Sequence, residues 1–111
     1  MVIFPVHDDQ IITDHHEPGK LPKAVAVIDA KREDSKYPFK ELCGAGVAYK
    51  LVQAILINLK EQKSLEIKDG WEKWLLDMVG IATLSDMVPL IGENRALAYY
   101  CLLYTSDAAD E

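Results

Sequence analysis

The sequence predicts an α/β fold in which parallel sheet strands are flanked by helices. Two short runs rich in isoleucine and valine, residues 10–13 and 24–28, each lead into an aspartate, as buried parallel strands often do. From residue 44 onward, apolar residues recur at the three-and-four spacing of an amphipathic helix. Strands that alternate with helices indicate a layered α/β arrangement.

The two predicted strands are joined and followed by loops. Pro18, Gly19 and Pro22 lie between them and predict irregular structure. The charged residues 31–36, together with Pro38, predict a second loop before the long helix. Because ligands often bind beyond the carboxyl ends of parallel strands, the residues after Thr13 are the first candidates for a site.

Three helices are predicted after the second loop. The first has an apolar face made of Val47, Ala48, Leu51, Val52, Ile55, Leu56 and Leu59. A polar break at residues 61–70 precedes the second, whose shared face contains Trp71, Trp74, Leu75, Met78, Val79 and Ala82. This face predicts that the two tryptophans are core or interface residues rather than platforms for stacked bases. Pro89 ends this helix or lies just beyond it, and residues 94–100 begin a third.

Composition and charge describe one small folded module or part of one. The 111 residues are 50% hydrophobic and 27% charged, which is typical of a globular protein and not of a disordered tail. The net charge of -6 argues against a general nucleic-acid coat protein, which needs many basic contacts to phosphate. It does not exclude a nuclease, because carboxylates that hold divalent cations make a site acidic.

Cysteine usage and the first residues predict the compartment. Cys43 and Cys101 are far apart and match no paired metal-binding spacing, so free thiols in a reducing cytoplasm are the simplest interpretation. Residues 1–6 are apolar but lack a basic flank, and they predict neither a signal peptide nor a membrane span. We therefore expect a cytoplasmic protein without a membrane partner.

Asp14-His15-His16, directly after the first strand, is the candidate site. A carboxylate and two imidazoles within one turn of backbone can hold a divalent cation, and this mixture suits Mn²⁺ or Mg²⁺ better than a closed structural zinc site. An isolated match of three letters is better explained as a capping aspartate followed by two surface histidines. Later segments of the chain reverse that preference.

Four ordered segments carry a resemblance to a known family. They are IITDHHEP at residues 11–18, LCGAGVAYKL at 42–51, LDMVGIATLSDMVPL at 76–90 and GENR at 92–95. Residues 9–100 resemble the middle of the RecJ-type single-strand-specific exonucleases of the DHH phosphoesterase family. The resemblance implies a partial DHH-type domain over residues 1–100. It also implies a hydrolase of single-stranded DNA that acts from the 5′ end in DNA repair and recombination, with two metal ions, usually manganese, activating water.

The resemblance implies roles for individual residues. His15 becomes a direct metal ligand, and Asp86 matches the later metal-binding aspartate of the family. Asp14 is then a ligand or a group that orients the histidines, and His16 contacts the substrate phosphate or exchanges a proton, so that all three residues of the triplet are catalytic candidates. Asp77 competes with Asp86, but a solvated residue beside the second helix is its better explanation.

Two glycines and one arginine are candidate substrate contacts. Gly44 and Gly46 open the long helix and permit close approach of backbone, either to a substrate phosphate or to the neighbouring sheet, and packing is the favoured interpretation. Arg95 can pair with a phosphate through two N–H groups, although an arginine near a helix start is usually a surface charge. His7 does not fit the family pattern and is interpreted as a surface residue.

The resemblance covers only part of the family's domain. Further metal-binding aspartates of the family lie upstream of the strand that leads into Asp14, and Asp8 and Asp9 do not replace them. We therefore expect a fragment that is inactive alone. Residues 101–111 resemble a translation of the transposase adapter used in sequencing libraries, so we expect the domain to stop near Tyr100.

Two other functions stay open. One is another DHH phosphoesterase that acts on short oligonucleotides, cyclic dinucleotides or pyrophosphate, because all of these enzymes share the Asp-His-His core. The other is a catalytically inert remnant whose exposed strand edges promote aggregation. Residues 44–51 and 84–90 favour the exonuclease branch.

Overall fold

The computed structural model describes residues 9–63 and 66–109, with side chains up to residue 103 in the last helix. The elements are β1 (Ile11–Thr13), β2 (Ala26–Ile28), α1 (Gly44–Glu61), a 3-10 helix (Trp71–Leu75), α2 (Leu76–Ser85) and α3 (Gly92–Ala109). They confirm the predicted α/β arrangement. The expectations for His7, Asp8 and the rest of residues 1–8 lie outside the described residues, as do those for the side chains of residues 104–111.

The two strands form a parallel pair, as expected. Ile12 lies opposite Val27, with one paired residue on either side. Both strands are shorter than predicted. Directly before them the two segments are still hydrogen-bonded, since the Val25 N–H donates to the Gln10 carbonyl at 2.8 Å, but their backbone there is irregular. At the other end, the Asp14 N–H donates to the Ile28 carbonyl at 2.9 Å. The sheet therefore holds the backbone of Asp14 at its carboxyl edge.

A core between the helices holds the layers together. Its buried members are Leu42, Val47, Tyr49, Leu76, Val79 and Leu97, with Ile28 of β2 packed against them. At the α2–α3 contact, a methyl group on Gly80 would collide with the Cys101 side chain. Glycine there lets the two helices approach closely. No helix within the described ranges has the length and apolar character needed to cross a membrane.

Of the two alternatives predicted for Trp71 and Trp74, core or interface, the core position is wrong. Their side chains are 48% and 82% exposed, and Met78 on the same predicted face is 70% exposed. Residues 71–75 form a 3-10 helix, which has about three residues per turn, so their side chains do not continue the α-helical face of α2. Leu76 and Val79 are buried instead.

Candidate metal centre

A contact between His15 and Asp86 joins the end of β1 to the end of α2. The His15 Nε2 atom lies 2.9 Å from Asp86 Oδ2. Asp86 is the C-cap of α2, and its N–H donates to the Ala82 carbonyl at 2.9 Å. Met87 then adopts a positive φ of 55°, which turns the chain away directly after the carboxylate. Two residues that are distant in the sequence thus meet at the carboxyl edge of the sheet.

The Asp14 carboxylate organises the two histidines around itself. Its Oδ1 atom accepts the backbone N–H of His15 at 2.7 Å and that of His16 at 3.3 Å, and it lies 2.6 Å from His16 Nδ1. Burial acts to raise the pKa of Asp14, but the hydrogen bonds from the His16 ring and from both backbone N–H groups outweigh it and lower the pKa. Asp14 is therefore ionised at neutral pH, and it holds the ring of His16 and the backbone of His15.

The two carboxylates approach opposite edges of the His15 ring. Asp86 faces Nε2, whereas Asp14 Oδ1 lies 3.8 Å from Nδ1. Ligand atoms of Asp14, His15 and His16 lie within 4.8 Å of one another, so this triplet is a second potential ligand set. The described geometry therefore offers an ion either the triplet or the His15–Asp86 pair, and His15 belongs to both.

The start of α1 packs against His15. A Cβ atom on Gly44 would lie 3.2 Å from His15 Nδ1, closer than an ordinary contact. Cys43 caps the helix, because its sulfur accepts the Gly46 N–H at 3.4 Å and lies 3.5 Å from the Thr83 hydroxyl of α2. This cap was missed in the sequence, because cysteine is not one of the residues that ordinarily signal a helix N-cap.

A cavity of about 360 Å³ opens beside His15. The described residues that line it are His15, Cys43, Gly44, Ala45, Ala82, Ser85 and Asp86. Of the residues predicted from the sequence, the structure brings His15, Asp86 and Gly44 to this cavity. The remaining wall consists of small side chains, which leave room beside the His15–Asp86 pair.

The other candidate residues lie around the cavity or away from it. His16 is 74% exposed beside Asp14. Gly46 is buried behind the cavity wall, where a Cβ atom would lie 3.1 Å from the Leu42 side chain. Arg95 is exposed on α3, and Asp77 is exposed on α2. Neither Arg95 nor Asp77 is among the described residues that line the cavity.

Comparisons with known proteins identify relatives of this chain. The N-terminal domain of the DHH family matches residues 6–83. The chain is similar to the single-stranded-DNA-specific exonuclease RecJ of Bacillus subtilis, with 46% identity over 91 residues, which is 81% of this chain and 10% of the relative. It is similar to RecJ of Escherichia coli, with 40% identity over 95 residues, 80% of this chain and 16% of the relative. With RecJ of Thermus thermophilus it shares 38% identity over 88 residues, 78% of this chain and 12% of the relative.

These matches cover most of this chain but only a small part of each relative. The chain spans 10–16% of the length of the curated relatives it matches. No solved structure was found to match it. The family match includes Asp14, His15, His16 and Gly44, and it ends shortly before Asp86. Since residues 6–83 make up more than half of the 111 residues, the chain belongs to the DHH family.

Proposed function

We propose that this chain contributes part of the metal centre of an exonuclease that hydrolyses single-stranded DNA from its 5′ end. The observation that carries the proposal is the contact of 2.9 Å between His15 Nε2 and Asp86 Oδ2. It joins the Asp-His-His triplet to a carboxylate from a second element at the edge of a cavity. The similarity to proteins named as single-stranded-DNA-specific exonucleases supports the substrate class.

The His15–Asp86 pair fits a divalent cation. Two ligands that are each about 2.1 Å from an octahedral ion, and at right angles to each other, lie about 3.0 Å apart. The observed separation of 2.9 Å agrees with this value. Asp14 Oδ1 already contacts three nitrogen atoms, so we assign Asp14 an orienting role. His15 and Asp86 are then the ligands, and Mn²⁺ or Mg²⁺ is the ion that suits them.

His16 is the residue that we assign to the substrate. Its Nδ1 atom lies 2.6 Å from Asp14 Oδ1, so Nε2 is the ring nitrogen left to face a phosphate. A carboxylate on one ring nitrogen fixes the tautomer and the orientation of the ring. His16 thereby holds or passes a proton at Nε2. Metal ions bound beside it supply the activation of water and the stabilisation of charge on the phosphate.

The other proposed substrate contacts differ in their positions. Gly44 lines the cavity, so its backbone is accessible to a phosphate there. The Gly46 N–H already donates to the Cys43 sulfur, which leaves close packing as its main contribution. Arg95 stays a proposed phosphate contact from the exposed face of α3.

We propose that the isolated chain does not hydrolyse DNA. A two-metal centre needs several anionic ligands that are already in place, and with Asp14 assigned to orient the histidines, the proposed ligand pair of His15 and Asp86 supplies one carboxylate. The parent protein that we propose supplies the missing carboxylates from other segments and acts in DNA repair and recombination in the cytoplasm. Hydrolysis of 5′-phosphorylated single-stranded DNA by the chain alone, abolished by His15→Ala, would contradict this view.

Binding of Mn²⁺ tests the ligand assignment directly. Paramagnetic broadening of backbone amide signals, followed by NMR during a Mn²⁺ titration, locates the ion even when binding is weak. Asp86→Asn and His15→Ala are expected to abolish selective broadening around residue 15. Asp77→Asn is the matched control, because Asp77 is an exposed aspartate of the same helix outside the cavity lining. Equal binding by wild type and Asp86→Asn would refute the assignment.

A further inference from the structure

Asn94 is a buried polar residue in the first turn of α3. Its side chain has an exposed fraction of 0%. Its Nδ2 atom lies 2.6 Å from the Glu41 carbonyl oxygen and 3.0 Å from the Pro89 carbonyl oxygen. Because both partners can only accept hydrogen bonds, the atom that faces them is the amide nitrogen, which donates to each. One side chain therefore bridges two loop segments that are distant in the sequence.

Both bridged segments lead to the candidate metal centre. Glu41 lies two residues before Cys43, which caps α1 and is followed by Gly44 on the Nδ1 side of His15. Pro89 lies three residues after Asp86, which contacts the Nε2 atom of His15. The bridge from Asn94 thus connects the two backbone segments that approach His15 from opposite sides.

The residues before Asn94 hold the same loop in place. The phenolic oxygen of Tyr37 donates to Glu93 at 2.6 Å, and the same carboxylate pairs with Lys50 of α1. Gly92 has a positive φ of 48°, and a Cβ atom there would lie 2.9 Å from the Phe39 ring. Residues 92–94 therefore contact the loop before α1 at several points. A change in the position of Asn94 is thereby transmitted to that loop.

The Asn94 carboxamide uses only one of its two polar atoms. Its Oδ1 atom is buried and has no hydrogen-bond partner among the described residues. Buried polar atoms without partners are unfavourable and rare in folded proteins. An apolar residue would avoid that cost but would remove the donor from the Glu41 and Pro89 carbonyl groups. The two donors on the Asn94 amide nitrogen are what allow one side chain to bridge both groups.

We propose that Asn94 is a positioning residue for the metal centre: its carboxamide fixes the separation between the start of α1 and the turn that carries Asp86. This inference rests on the proposed function, because it assigns the geometry a purpose in metal binding. It adds a residue outside the cavity that controls how His15 and Asp86 meet. Asn94 itself touches neither the ligands nor the substrate in the described contacts.

Three substitutions test the proposal in the full 111-residue chain. Asn94→Asp keeps the shape but turns an oxygen toward two carbonyl groups, and Asn94→Ser keeps one donor in a smaller side chain. Asn58→Asp is the charge control, because Asn58 is exposed on α1. Leu97→Ala is the stability control, because Leu97 is a buried core residue of the same helix. Urea unfolding measures the stability of each variant.

The expected result separates positioning from stability. Residues that orient metal ligands change metal affinity by about 10- to 100-fold when replaced. Asn94 acts through two backbone segments and not on a ligand directly, so we expect both variants to weaken Mn²⁺ binding by about 10-fold, the lower end of that range, among folded molecules. Without metal, they should also shift the NMR signals of the Gly44 amide and the His15 ring. We expect Leu97→Ala and Asn58→Asp to keep the wild-type affinity and signals.

Two outcomes would overturn the proposal. One is a folded Asn94→Ser variant with wild-type signals at Gly44 and His15. The other is an equal loss of affinity in Leu97→Ala at matched stability. The signals recorded without metal also distinguish the two proposals. If wild type and His15→Ala bind Mn²⁺ equally, the proposed function fails. The signal shifts of Gly44 and His15 in the Asn94 variants still decide the role of Asn94.

Discussion

Replacing Gly44 with alanine is expected to weaken metal binding while the fold survives. The new Cβ atom would lie 3.2 Å from His15 Nδ1. An unstrained contact is about 3.5 Å or longer, so the ring must retreat by about 0.3 Å or more. Asp86 lies 2.9 Å from the Nε2 atom of the same ring, so we expect that retreat to change the contact between the two proposed ligands.

The two effects on stability nearly cancel. Overpacking costs about 1 kcal/mol when a neighbouring side chain can move. Alanine has a higher helix propensity than glycine, by up to about 1 kcal/mol in a helix interior and by less at the first turn. We therefore expect the free energy of unfolding to change by less than about 1 kcal/mol. A displaced ligand, in contrast, lowers metal affinity by about 10-fold.

Mn²⁺ titration followed by amide line broadening, together with urea unfolding, measures both quantities on the same sample. Gly19→Ala is the matched control, because nothing lies within 4 Å of a Cβ atom at Gly19. Unchanged affinity in a stable Gly44→Ala variant would refute the reasoning, since it would mean that the ring is not confined between Gly44 and Asp86.

Three further predictions concern the helix contacts. Burial acts to raise the pKa of Glu93, but hydrogen bonds from Lys50 and Tyr37 outweigh it and hold the pKa below its ordinary value of 4.5. Ionised Glu93 therefore stabilises the fold above about pH 4.5, and this contribution is lost as the pH falls through the lower folded-state pKa. Urea unfolding of wild type and Glu93→Gln should differ at neutral pH and converge in acid, and a constant difference would contradict the sign. Gly80→Ala should lower the free energy of unfolding by about 1–3 kcal/mol, because the methyl group meets Cys101, and unchanged thermal unfolding would show that α2 and α3 separate easily. If residues after Tyr100 are adapter-derived, the natural codon at position 101 should encode a small residue that fits against Gly80, which sequencing of the genomic locus would test.

Local sequence patterns were sufficient for both strands, for α1 and for the Asp14-His15-His16 cluster. The runs of isoleucine and valine before Asp14 and Asp29 predicted two parallel strands, and the spacing of apolar residues from Gly44 predicted α1. These features depend on neighbours within a few residues, so the periodicity records them. The Asp14-His15-His16 cluster was predictable for the same reason, because a single turn of backbone assembles it.

The partners of that cluster depend on tertiary structure. The family resemblance suggested Asp86 as a ligand, but only the packing of α2 against α1 places its carboxylate on the Nε2 edge of His15, with Asp14 on the other edge. The bridge made by Asn94 is equally invisible in a local pattern, because its partners are backbone carbonyl groups of distant segments. The exposure of Trp74 followed from a 3-10 turn that apolar spacing did not predict. By itself the sequence determined which groups are available for chemistry, whereas the tertiary structure decided which edge of each group faces which partner, because long-range packing sets those orientations.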